Sequence, residues 1–158
     1  MLHLRLATSA DATTILEFIH ALARYEREPD AVKVDEATLQ RQLALQPPRF
    51  ECFIAELQGQ PAGFALFFHS YSTWRGKQGL WLEDLFVLES ARRRGVGRAL
   101  LQRLAALALE RDCARFEWSV LDWNQPAIEF YESLGAQLMG SWRICRVSDG
   151  ALVRLASS

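Results

Sequence analysis

Two adjacent carboxylates, Glu83 and Asp84, interrupt an otherwise apolar run, Leu80-Trp81-Leu82-Glu83-Asp84-Leu85-Phe86-Val87. Such residues favour strands, and apolar side chains on both faces read as a strand covered on both sides. Successive strand side chains point to opposite faces, so one carboxylate is expected on each. An unpaired charge there is costly unless it has a partner or a task. Proton transfer is one such task. A carboxyl whose pKa is raised by partial burial can accept a proton from an ammonium group, directly or through a water. The structural alternative is hydrogen bonding or pairing with an arginine.

A second chemical feature follows directly. Arg92-Arg93-Arg94-Gly95-Val96-Gly97-Arg98 lies between that strand and a segment to Arg111 with apolar residues at Val96, Leu100, Leu104 and Ala108. This is helical spacing. Strand, glycine-rich turn and helix together aim free backbone N–H groups and a helix dipole at a phosphate. The loop therefore reads as a site for a phosphorylated cofactor, the alternative being a surface turn with solvated arginines. A nucleotide-hydrolysing P-loop would need Lys and then Ser or Thr after the glycine, whereas Gly97 is followed by Arg98 and Ala99. A dinucleotide fingerprint would need a third glycine.

A third feature, Asn124-Gln125-Pro126-Ala127-Ile128-Glu129-Phe130-Tyr131-Glu132-Ser133-Leu134-Gly135, reads as a capped helix. Asn124 suits the N-cap, Pro126 the first turn and Gly135 the C-cap. Ile128, Tyr131 and Leu134 share a face, which turns Tyr131 inward.

The Arg-x-x-Gly-x-Gly loop, followed by a strand and an Asn-x-x-Ala-x-x-x-Tyr-x-x-x-Gly helix, resembles the GNAT N-acetyltransferase superfamily. Ala23-Arg24-Tyr25-Glu26, Tyr71-Ser72-Thr73-Trp74-Arg75-Gly76-Lys77, Leu82-Glu83-Asp84-Leu85-Phe86-Val87 and Trp123-Asn124-Gln125-Pro126 are similar to its diamine (spermidine/spermine) and thialysine branch. The resemblance implies acetyl-CoA as cofactor, a small basic amine as acceptor and a homodimer. It implies Glu83 as the group assisting amine deprotonation and Tyr131 as the acid that protonates the leaving thiolate. It places the pantetheine arm beside Leu85, Phe86 and Val87. The pyrophosphate is expected on the loop Arg92, Arg93, Arg94, Gly95, Val96, Gly97 and Arg98, with Asn124, Ala127 and Tyr131 on the cofactor's other side. Tyr25, Glu26, Trp74, Glu83, Asp84, Glu117, Trp118 and Ser119 are its acceptor-binding candidates. The acidic set suits a ligand with a second positive charge. The alternatives are another acceptor (amino acid, aminoglycoside or protein N-terminus) or an acyl-CoA-binding module without turnover.

The elements that must position these groups alternate along 158 residues, half of them apolar. That fits a single domain, residues 1–158, with a mixed α/β sheet flanked by helices on both faces. Expected elements are a strand at Leu2–Leu6, a helix from near Ser9 to Tyr25 and a helix over Asp35–Leu45. A hairpin follows at Phe50–Leu57 and Ala62–Tyr71, then the carboxylate strand, the loop helix, a strand at Ala114–Val120 and the Asn124 helix. A second hairpin is expected at Ser141–Val147 and Leu152–Leu155 around Asp149-Gly150. The net charge of −1 argues against nucleic acid. No apolar run is long enough for a membrane span, and the first residues lack the form of a signal peptide. Three widely spaced cysteines suit reduced thiols in a cytoplasm, and the three histidines make no metal-ligand spacing.

Overall fold

The computed structural model describes residues 1–157. They form two compact units, Met1–Ser119 and a second from Val120 onward. The first unit is built on a five-stranded sheet of order β1-β2-β3-β4-β5: β1 Leu2–Leu6, β2 Glu51–Leu57, β3 Gln60–Ser72, β4 Lys77–Val87 and β5 Phe116–Trp118. Strands β1 to β4 pair antiparallel in turn, and β5 lies parallel to β4. Helices α1 (Ala12–Tyr25), α2 (Glu36–Leu43) and α3 (Val96–Glu110) accompany the sheet.

One face is covered by α1. Its Ile15, Phe18 and Leu22 recur at helical spacing and pack with Ile54, Phe64, Leu66 and Phe86. The Phe18 ring stacks on Phe64 at 5.3 Å. Arg5 fixes where α1 begins by donating two bonds to Asp11, at 3.0 and 2.8 Å, and a third to Glu56 at 2.7 Å. Strand alternation sends Phe53 and Phe67 to the opposite face, where their rings stack at 5.8 Å and Arg103 of α3 lies over Phe53. Leu100 and Leu104 of α3 are fully buried. At Gly63 the chains approach closely: a Cβ there would stand 2.6 Å from the Phe86 carbonyl oxygen.

The second unit contains α4 (Gln125–Ser133) and α5 (Asp149–Ala156). The expected C-terminal hairpin is absent. Residues 141–147 form no strand, and the Asp149-Gly150 turn is instead the start of α5. Ser148 takes the extended N-cap conformation, Asp149 brings negative charge to the first turn, and Leu152, Val153 and Leu155 continue the helix. The alternation Trp142, Ile144 matched a strand pattern, but among the described residues it has no strand to pair with. Among the described residues no helix is long and apolar enough to cross a membrane.

Candidate active site

The carboxylate strand is irregular at the point that matters. β4 carries one more residue than β3 between the pairs Leu66–Asp84 and Phe67–Leu82, so Glu83 faces no residue of β3. This β-bulge changes the side-chain alternation. Downstream of it, Asp84 pairs with Leu66 and Phe86 with Phe64, both on the α1 face. Upstream, Leu82 pairs with Phe67 of the other face, which leaves Trp81 and Glu83 towards α1. The indole Nε1 of Trp81 donates to Glu83 Oε2 at 3.0 Å. Glu83 and Asp84 therefore share a face, and the expectation of one carboxylate on each side does not hold. The bulge is the physical reason, and nothing in the residue types announces it.

Glu26, which follows the last residue of α1, completes an acidic set. Burial, and then the Glu83 charge, raise its pKa. Asp84 is shifted further than Glu26. Burial, then Glu83, then Glu26 push it to about 6. Glu83 itself is exposed. On the strand itself the carboxyl with the raised pKa, the property sought in a general base, is thus Asp84, while Glu83 is exposed to solvent.

Beyond Leu82 the sheet opens. The β5 register ends at the pair Leu82–Trp118, so among the described residues β4 continues through Val87 paired with β3 alone. That leaves backbone amides of the Glu83–Val87 stretch able to bond a bound chain molecule. The arginine-glycine loop follows. Arg93 and Gly95 both take left-handed φ, 60° and 80°, and Gly95 is the N-cap of α3. The N–H groups of Val96, Gly97 and Arg98 in the first turn have no acceptor in their own helix, and Arg93, Arg94 and Arg98 are exposed beside them. An anion suits this position. Arg92 differs: its backbone N–H donates to Glu89 O at 3.2 Å and its Nε to Val87 O at 3.2 Å. Its guanidinium lies 5.2 Å from the Tyr25 ring and 5.8 Å from Phe86. The sequence gives no sign that Arg92 separates from its neighbours in this way.

The remaining candidates are spread more widely. Glu117 sits at the register position of Trp81 and pairs with Arg115 at 3.5 Å. The Trp118 ring lies tilted against Phe116 with centroids 4.9 Å apart, and Ser119 follows the end of β5. Trp74 is exposed at the tip of the β3–β4 hairpin, and no described contact joins it to the acidic set. In the second unit, Asn124 is buried and its Oδ1 accepts the Ala127 N–H at 3.4 Å, capping α4. Tyr131 is half-buried on the same helix face as Ile128, with its ring 5.7 Å from Phe130. Gly135, at φ +92°, ends the helix.

Comparison with known proteins follows the same lines. Residues 15–136 match the acetyltransferase (GNAT) family. A thialysine N-epsilon-acetyltransferase of Bos taurus is 34% identical over 164 residues, covering 97% of this chain and 96% of its own. An L-ornithine N5-acetyltransferase of Arabidopsis thaliana is 47% identical over 91 residues, 58% of this chain and 40% of its own. An integron cassette protein from the mobile metagenome of V. cholerae superimposes with a TM-score of 0.82 at 25% identity, covering 99% of this chain and 98% of that one.

Proposed function

Since this chain belongs to the acetyltransferase (GNAT) family, we propose that it moves an acetyl group from acetyl-CoA to a primary amine of a small basic acceptor. The observation that carries the acceptor class is the bulge-built acidic set of Glu26, Glu83 and Asp84. Three clustered carboxylates favour a ligand with more than one positive charge. The thialysine and ornithine relatives narrow this further, since both names describe an amino acid with a distal amine. A lysine-like diamino acid is therefore the preferred acceptor, ahead of a diamine or polyamine.

The cofactor fits the residues present. The first-turn N–H groups of α3 would hold the pyrophosphate, with Arg93, Arg94 and Arg98 adding charge, and the open side of β4 at Leu85, Phe86 and Val87 would receive the pantetheine arm. Acetyl-CoA supplies the activated thioester. Glu83 meets the protonated amine, and the Glu83–Asp84 pair takes its proton so that the free amine can attack. A carboxyl poised near pH 6 suits this work. Asn124 and Ala127 contribute to cofactor binding, and Tyr131 protonates the departing thiolate. These last roles rest on the motif.

The resemblance also implies a homodimer. Leu138, Met139, Trp142, Ile144 and Val147 are exposed, giving the C-terminal segment apolar surface for a second copy to cover.

The test is coenzyme A release across thialysine, ornithine, lysine, putrescine, spermidine, an aminoglycoside and a neutral amino acid, for wild type and Tyr131→Phe. Turnover confined to diamino acids and diamines, with kcat lowered about 100-fold in the variant, is the expected result. Tight acetyl-CoA binding with no turnover on any amine would overturn the acceptor class.

A further inference from the structure

We propose that Arg92 is a positioning residue that links cofactor binding to acceptor binding, by clamping the Tyr25 end of α1 onto the outgoing end of β4. The neighbouring Arg92, Arg93 and Arg94 are equivalent by composition and different by placement. Arg92 alone among them has its N–H tied back to Glu89 and its Nε bonded to Val87 O. Its guanidinium spans two aromatic rings, Tyr25 on α1 and Phe86 on β4.

Each partner belongs to a part of the proposed reaction. Val87 ends the stretch of β4 assigned to the cofactor arm, and Phe86 is buried in the core beneath α1. Tyr25 immediately precedes Glu26, whose carboxyl feels the Glu83 charge. A movement of the loop at Arg92 is therefore transmitted to the acidic set through one planar side chain. A loop held on a pyrophosphate keeps that clamp set. Acetyl-CoA accordingly raises the affinity for the acceptor, and by linkage the acceptor raises that for acetyl-CoA. Arginine suits the position because its flat, delocalised cation stacks on a ring while its N–H groups remain free to donate, which an ammonium group cannot match.

This inference rests on the acetyltransferase reading above, and its test separates the two. Acetyl-CoA affinity is measured by calorimetry, and kcat and acceptor KM with the best amine of the panel, for wild type, Arg92→Met, Arg92→Lys, Tyr25→Leu and the Arg92→Met/Tyr25→Leu double variant. Thermal unfolding of the same five proteins requires no activity. The expected result is an acceptor KM raised about tenfold in Arg92→Met and in Tyr25→Leu, with kcat and acetyl-CoA affinity in the free enzyme within about twofold of wild type. Arg92→Lys recovers part of the loss, and the double variant is no worse than either single one. A fall in acetyl-CoA affinity at constant acceptor KM would make Arg92 a phosphate ligand and overturn the proposal. Additive losses in the double variant would also overturn it. If no amine is turned over, the acceptor class fails by itself. The unfolding cycle then decides the clamp, non-additive shifts supporting it and additive shifts refuting it.

Discussion

Glu51, at the start of β2, accepts both Nη groups of Arg111, at 2.5 and 2.8 Å, and so ties the sheet to the residue that follows α3. His69 Nε2 lies 3.4 Å from the same guanidinium. The bonds from Arg111 hold the Glu51 carboxyl below its ordinary value of 4.5. A carboxylate with a lowered folded-state pKa adds stability above its unfolded pKa and loses it as the pH falls through the folded one. Replacing Arg111 with Leu is expected to lower stability by about 1 kcal/mol at pH 7, a figure reduced for the partial exposure of the pair. Urea unfolding at pH 7 and pH 3 checks this, because the deficit should shrink in acid.

Asp84 has the opposite sign. Its pKa rises from 3.8 to about 6 in the folded chain. Stability is therefore lost as the pH climbs through that interval and stays lost above it. Asp84→Asn should stabilise the protein by about 2 kcal/mol at pH 8 and have little effect below pH 4. The same change should cut kcat/KM for the acceptor by about tenfold or more. A stability gain equal at both pH values would show that charge is not its source.

Gly63→Ala would place a Cβ 2.6 Å from the Phe86 carbonyl oxygen and 3.2 Å from Val87 Cα, backbone atoms of β4 that cannot swing aside as a side chain could. A loss of about 2 kcal/mol or more is expected in thermal unfolding. Acetyl-CoA affinity should fall with it, since Phe86 lies in the strand assigned to the cofactor.

Trp142→Ser, at an exposed residue of the C-terminal segment, should weaken the proposed dimer without unfolding the chain. Light scattering over a dilution series, with circular dichroism on the same samples, separates these effects. A monomeric wild type at all concentrations would remove the dimer from the proposal.

Much of this is legible in the residue types alone. The α3 stripe Val96, Leu100 and Leu104, the loop glycines and the Asn124 cap all act locally, through periodicity or capping, and local rules are written in residue types. The bulge at Glu83 was not legible, because it depends on how β3 and β4 count against each other. Arg92 was hidden for a similar reason: its partners Tyr25 and Phe86 come from distant sequence. The C-terminal hairpin failed because alternation at Trp142 and Ile144 describes a strand only if a neighbour exists to receive it.

The one-sided stretch of β4 past Leu82 also bears on how the protein behaves outside its reaction. A strand with a neighbour on one side is a template for any extended chain that meets it. An acetyl-CoA arm lying there would occupy the hydrogen-bonding positions that a misplaced strand would otherwise seek. A ligand held there would double as a guard against self-association, and protein stripped of coenzyme A should then precipitate sooner on warming than protein stored with it.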